Sequence, residues 1–575
     1  MNVSRPSTKV LIGFLITLFF GIALFIRVYF PYDQVFSGDW IRYTGVDAYY
    51  HMRIVDNLVH NFPHLINFDP FRIYPGGSEI AAGRFLDRLL ASVIWIVGLG
   101  SPSQHTVDVI GVYFPAVLAA LIVIPVYFIG KELFNRWAGV LSAALIAILP
   151  GEFMGRSILG FTDHHVAETL FATTTMLFLI LAIKSARQRQ LTFSHFYRRD
   201  WAIINRPVIY SLLTGIFLGI YFLTWSGALL FAFTISVYFI IQFIIDHWRH
   251  QSTDYLCLVG AILFFVTLII FLPSSTGMLY LVSLIVALLA PVLLNGISRR
   301  MTNKRIRYPL TLVGLGIVGL GIFYLIEPVF FLRTFHVFWP TEVSRTTLEM
   351  QPLLFPQGNF TLKLAWGNFT AGFFLSFGLL LYWIFYTRVF RKQGSAEDNI
   401  LLIWSIVILL ATLGQRRFAY YFAVNVALLT GYLLWLLLKL NEENHSKARY
   451  LNIVFSAIMI VFLVKLSNFN PLLVAFSVAL LILYILWQLL PFVAAWFLET
   501  PKPKLHEKTR PKKVKRAGFR LTTRQLNMAL AIIIGFFLVF FPNINPAITT
   551  ARSAPFGPSD AWQSSLIWLK GNSPE

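Results

Sequence analysis

Long apolar runs separated by polar connections occupy the chain from residue 9 to residue 542. A stretch of about 20 apolar residues crosses a hydrocarbon core as a helix, because a helix satisfies its own backbone hydrogen bonds where water is absent. Fifteen such runs are expected, near 9–30, 106–130, 136–152, 166–185, 207–225, 226–246, 254–273, 277–295, 309–331, 369–390, 399–413, 418–439, 450–467, 470–498 and 526–542. The stretch 207–246 has no clear break and 399–413 is short, so the pattern predicts an all-α, multi-pass membrane protein of 13 to 15 spans. The expected membrane domain is 1–542, with larger polar stretches at 31–105, 153–165 and 332–368 and a C-terminal segment at 543–575.

Composition agrees: 57% of residues are hydrophobic and 13% charged, against roughly 25% charged in an ordinary soluble domain. The net charge of +21 would suit nucleic acid, but its lysines and arginines lie in connections between spans rather than on a folded basic face. Alternate connections carry Lys131 and Arg136, Lys184 to Arg206, Arg299 to Arg307, Arg388 to Lys392, and Lys447 with Arg449. A further connection, 502–524, holds ten Lys or Arg against one Glu. Lys and Arg mark the cytoplasmic side, and a basic connection of this kind anchors to an anionic leaflet. With the N-terminus inside, 31–105, 153–165, 332–368, 414–417 and 543–575 share the outer side. The first run lacks a small-residue cleavage site and reads as a retained signal-anchor. Cys257, the single cysteine, sits inside an apolar run, so no disulfide framework is expected. No internal repeat is evident, which argues against a transporter built of inverted halves.

Four polar segments fall on that outer side. "GVDAYYHMR" contains Asp47, His51 and Arg53; "GRSILGFTDHHVAETLF" contains Arg156, Asp163, His164, His165 and Glu168. "TEVSRTTLEMQP" leads to Glu349, and "GQRRFAYYFAVN" contains Arg416 and Arg417. Each has a plain explanation: a solvated loop with interfacial aromatics, a capped helix start with acids in its first turn, a polar loop, snorkelling arginines. Capping does not explain two adjacent histidines, and an Asp-x-His step at a helix entry brings an oxygen and an imidazole nitrogen to one divalent cation. Four plain explanations on one face are together less economical than one shared site. Asn359-Phe-Thr and Asn368-Phe-Thr match the short N-glycosylation acceptor pattern, for which coincidence is the default.

In family order, these segments resemble the motifs of the catalytic membrane subunit of oligosaccharyltransferases, in its archaeal-type single-subunit form. The resemblance implies a GT-C type glycosyltransferase fold with large outer loops. It implies Asp47, Asp163 and His165 as metal ligands, with Arg156, His164 and His51 beside them. "TTLEMQP" is similar to the fifth-outer-loop Thr-x-x-Glu motif, which places Glu349, with Asp47, at the acceptor amide. "RRFAYYFAVN" is similar to the motif whose arginine meets the lipid diphosphate, which selects Arg417.

The implied reaction is metal-dependent, inverting transfer of an oligosaccharide from a polyprenyl or dolichyl (di)phosphate carrier to an asparagine side chain of an Asn-x-Ser/Thr polypeptide, at the outer face of a cell membrane. Oxygen-rich ligation with one imidazole suits Mg²⁺ or Mn²⁺ rather than a structural zinc. The family's outer soluble domain bears Trp-Trp-Asp-Tyr-Gly, a string absent from these 575 residues, and "SDAWQSSLIWLKGNSPE" resembles the entry to that domain. Three readings stay open: a truncated product, a split system with a separately encoded soluble domain as partner, or a degenerate relative. Two alternatives are another lipid-phosphate-sugar-dependent transferase, of the O-mannosyl or glycolipid type, and a non-enzymatic lipid-linked-sugar transporter.

Overall fold

The computed structural model describes residues 7–37, 40–80, 85–274, 277–302, 304–339, 347–385, 394–443, 447–465, 471–497 and 522–573. Each of the fifteen expected runs is helical over most of its described residues. Among the described residues, eleven helices are long and apolar enough to cross a membrane, and a pair bent by 95° at Thr370 makes a twelfth. Arg136–Ile148, at 13 residues, rises about 20 Å, short of a hydrocarbon core of about 30 Å. The unbroken stretch near 207–246 divides at Trp225, between Trp201–Thr224 and Leu229–Trp248. The run expected over 309–331 stops at Ile326, and Pro328, which cannot donate a backbone hydrogen bond, starts the separate helix Pro328–Phe338. Nearly all of the basic connection 502–524 lies outside the described residues.

The polar stretch 31–105 is a folded cap. From the first transmembrane helix, α1 (Thr8–Tyr29), the chain passes through a short ribbon, Phe36–Ser37 against Trp40–Ile41, to Tyr43–Thr44. Gly45 then takes φ +77°, a conformation that glycine adopts without steric cost, and so turns the extended chain into α2 (Val46–His60). Helix α2 buries Ala48, Met52, Val55, Leu58 and Val59 against α3 (Phe85–Val97), whose Leu90, Ala91 and Ile94 share that core. The spacing 48, 52, 55, 59 gives an apolar stripe and leaves the polar residues of "GVDAYYHMR" on other faces. The C-terminal segment also belongs to this cap: Phe556–Gly557 pairs antiparallel with Tyr43–Thr44, and the Tyr49 hydroxyl donates to the Gly557 carbonyl.

Below the cap, α4 (Gly151–Gly155) and the following turn reach α5 (His165–Gln188), which is buried along most of its length. Arg27 of α1, wholly buried, anchors this turn. Its Nε donates to Ser157 Oγ at 2.8 Å and its Nη1 to the carbonyls of Ala23 and Ala147 at 3.0 and 3.1 Å. The Arg27 carbonyl accepts from Leu159 N at 2.9 Å. Replacing Arg27 by Met strands the Ala147 carbonyl and takes a donor from Ser157 Oγ, which keeps its own bond to the Phe153 carbonyl, so a loss of about 1–3 kcal/mol is expected. A fall in the thermal midpoint of the detergent-purified protein measures it; an unchanged midpoint would mean the anchor is dispensable.

Candidate functional site

The turn 156–164 is set by main-chain bonds at both ends. Thr44 N donates to Gly160 O and Gly160 N to Val112 O, each at 2.9 Å, and Thr162 Oγ1 donates to Gly111 O at 2.8 Å. Asp163 therefore stands immediately ahead of α5, with its carboxylate 3% exposed. The residue capping the helix is His164, not Asp163; Asp163 Oδ1 accepts from the His164 backbone N–H at 2.5 Å.

Three imidazoles converge on that carboxylate. His51 Nε2 of α2 lies 3.3 Å from Asp163 Oδ1, His165 Nε2 lies 3.3 Å from Oδ2, and His164 Nδ1 contacts Oδ1. His51 Nδ1 is in turn 2.7 Å from Asp87 Oδ1 of α3. Burial pulls the His51 imidazole down, but hydrogen bonds to Asp163 and Asp87 and their charges outweigh it and raise the pKa to about 10. Burial likewise pushes the Asp163 carboxyl up, and the charges and hydrogen bonds of the surrounding histidines hold it well below the usual carboxylate range. Among the described residues, two donor groups are compact enough to hold a metal ion: His51, Asp163 and His164, and His164, His165 and Glu168. A carboxylate ringed by imidazoles in a poorly solvated pocket fits a divalent cation.

Asp47 occupies the first turn of α2, exposed and without a hydrogen bond or ion pair among the described residues. It precedes His51 by four residues, so the two stand on one face of the helix, one turn apart. The structure thus brings His51, Asp163, His164 and His165 into contact and leaves Asp47 free at the rim.

On the other side of His165, Arg156 joins three groups. Its Nε donates to Glu152 Oε2 at 2.9 Å, its Nη1 to His165 Nε2 at 2.6 Å and its Nη2 to Glu349 Oε2 at 2.9 Å. Burial pushes the Glu349 carboxyl up, but the hydrogen bond and charge of Arg156, aided by His165 and Arg417, hold it below the usual carboxylate value. Glu349 lies in the short turn Leu348–Met350; Thr346, the first residue of the Thr-x-x-Glu motif, lies outside the described residues. This turn rests on the entry to α6 (Ala419–Glu442), where Arg416 N donates to Gln351 O at 2.8 Å. Arg416 Nε lies 3.8 Å from Glu152 Oε1; both it and Arg417 Nε are shielded, and neither makes a hydrogen bond among the described residues.

Several residues of the site had no distinct sequence signal. Asp87 reads as an ordinary acid on an amphipathic helix, and Glu152 as one more charge in a loop. Asn368 matched a glycosylation pattern, yet it is buried: its Oδ1 accepts from Glu152 N and its Nδ2 donates to Leu364 O, both at 2.8 Å. A side chain so enclosed is no glycan acceptor, whereas Asn359 is exposed. The partner of Asn368 is Gly151, at φ +71°, where an added Cβ would lie 2.4 Å from the Asn368 Cα. Glu168 is the exception. As a carboxylate inside an apolar helix it demanded donors, and Tyr420 and Tyr421 supply them.

Residues 17–484 match the family model described as Oligosaccharyl transferase STT3, N-terminal. The chain is 31% identical over 425 residues to Dolichyl-phosphooligosaccharide-protein glycotransferase 3 of Archaeoglobus fulgidus, covering 70% of this chain and 47% of that protein. It is 33% identical over 344 residues to the dolichyl-monophosphooligosaccharide–protein glycotransferase AglB of Haloferax volcanii, covering 56% of this chain and 32% of that protein. Among solved structures it is similar to the archaeal oligosaccharyltransferase AglB of Archaeoglobus fulgidus in complex with an inhibitory peptide and a dolichol-phosphate, with a TM-score of 0.76 and 26% identity. That match covers 99% of this chain and 58% of the other. The chain spans less than half the length of these two curated relatives.

Proposed function

The chain belongs to the STT3 family of oligosaccharyl transferases, and on that footing we propose that it carries the membrane-embedded catalytic part of a protein N-glycosylation enzyme. The reaction moves a glycan from a dolichyl or polyprenyl (di)phosphate to the side-chain nitrogen of an acceptor asparagine. The convergence of His51, Asp163, His164 and His165 beside the Arg156–Glu349 pair carries this reading. The working face is the outer one, as the placement of the basic connections supports.

In this proposal Asp47, Asp163 and His165 hold Mg²⁺ or Mn²⁺. When bound, the ion supplies Lewis-acid stabilisation of charge on the departing phosphate. Asp163 is suited to that task because its low pKa keeps it anionic at neutral pH. Arg417 adds fixed donors to the phosphate oxygens. Glu349, anionic and steered by Arg156, and Asp47 at the rim accept hydrogen bonds from the acceptor amide and aim its nitrogen at the anomeric carbon. The new C–N bond forms as the sugar–oxygen bond breaks, the diphosphate keeps the electron pair, and the nitrogen loses one proton. Attack opposite the leaving group inverts the anomeric centre. A soluble domain, of the kind the family's outer segment supplies, is a candidate for reading the acceptor's Ser or Thr.

The test is an assay in lipid vesicles with polyprenyl-linked oligosaccharide. An Asn-x-Thr peptide is expected to gain the glycan mass and a Gln-x-Thr peptide to gain none. Glycosylation of serine or threonine instead would point to an O-linked transferase, and movement of the lipid-linked sugar with no peptide product to a transporter.

A further inference from the structure

Glu168 lies in the first turn of α5, is wholly buried, and is not among the metal ligands proposed above. Its two oxygens face different surroundings. Oε2 accepts from the Tyr420 hydroxyl at 2.8 Å and from the Tyr421 hydroxyl, which also meets the hydroxyl of Tyr221. Oε1 makes no hydrogen bond and lies 3.4 Å from His165 Nδ1, itself buried and unpartnered. The same oxygen is 3.4 Å from His164 Nε2.

Arg156 decides the tautomer of His165. A guanidinium can only donate, so the 2.6 Å contact from Arg156 Nη1 requires a lone pair on His165 Nε2. A neutral His165 then carries its proton on Nδ1, the nitrogen that faces Glu168 Oε1. An imidazole that gives its second N–H to a carboxylate is held in one orientation and is a stronger base at the nitrogen left free. An ionised carboxylate in this buried place needs donors, and the tyrosines occupy only one of its oxygens.

We propose that Glu168 is a positioning residue: buttressed by Tyr420 and Tyr421, it accepts the Nδ1–H of His165 and so aims the Nε2 lone pair, which Arg156 Nη1 occupies here, at a metal that would take the place of that contact. This rests on the metal-site reading above, and the experiment separates the two. Mn²⁺ binding to the purified full chain is followed by electron paramagnetic resonance, alongside the Mn²⁺ dependence of transfer. Glu168→Gln keeps the shape and removes the charge, and its Mn²⁺ affinity is expected to fall about 10- to 100-fold, with kcat returning as Mn²⁺ is raised. Tyr421→Phe, which withdraws one donor from Oε2, is expected to weaken Mn²⁺ binding several-fold, and it carries the test should Glu168→Gln not fold. A wild-type protein that binds no Mn²⁺ would overturn the metal reading itself. Wild-type binding matched by the folded variant would overturn only the role of Glu168. Loss of one of two bound ions in Glu168→Gln would make Glu168 a ligand, and that too would overturn the positioning role.

Discussion

Replacing Asp163 by Ala is expected to reduce glycan transfer by on the order of a thousandfold or more, with the protein still inserted and folded in the membrane. Asp163 is the one carboxylate that His51, His164 and His165 all reach, so its loss removes the centre of the cluster rather than one wall. It also removes the anion that the three half-buried imidazoles share, leaving them only Asp87 and Glu168, so some loss of stability accompanies the loss of activity. Asp47→Ala separates the two effects. Asp47 is exposed and partnerless, and a substitution there costs within about 0.5 kcal/mol of stability. A comparable collapse of transfer in Asp47→Ala, with an unchanged thermal midpoint, would report chemistry alone. Peptide glycosylation measured across a Mn²⁺ titration gives both numbers, and retained activity in both variants would sink the site.

What the residue pattern predicts and what it leaves out divide along physical lines. Helix existence follows from apolar length, so all fifteen runs were legible, whereas the breaks at Trp225 and Glu327 depend on local backbone geometry that hydropathy does not carry. Motif residues were legible because ionisable groups at helix ends are conspicuous in an apolar chain. His51, Asp163, His164, His165, Arg156 and Glu349 do come together, across as many as 298 positions from His51 to Glu349. Their supports were not legible. Asp87, Glu152 and Asn368 act through contacts with residues distant in sequence, and no local pattern distinguishes a buried acid on α3 from a solvated one. The tyrosines of "RRFAYYFAVN" carried a signal in principle: two hydroxyls at the start of a buried helix require partners, and Glu168 was the matching unpaired carboxylate.

The pair Arg416 and Arg417 gives the sharpest contrast between neighbours. Both enter α6 from the same short turn, Arg416–Phe418, so composition and exposure cannot rank them. Their surroundings do. Arg416 faces Glu152, a carboxylate it shares with Arg156, and its main-chain N–H holds the turn that carries Glu349. Arg417 has no such carboxylate contact, stacks over Phe418 at 5.0 Å, and its field reaches Glu349. A guanidinium left with free donors beside the cluster is the one available to a phosphate. Arg417→Ala is therefore expected to lower kcat/KM for the lipid-linked donor by about 100- to 1,000-fold, roughly 2.7–4 kcal/mol of transition-state stabilisation. Arg417→Lys keeps the charge but loses the planar fork, so it recovers only part of that loss. Arg416→Ala, which removes a 3.8 Å pair, should cost no more than about tenfold. Donor-dependence curves for the three variants provide the check: an Arg416→Ala defect deeper than that of Arg417→Ala would reverse the assignment and place the phosphate on the Glu152 side of the turn.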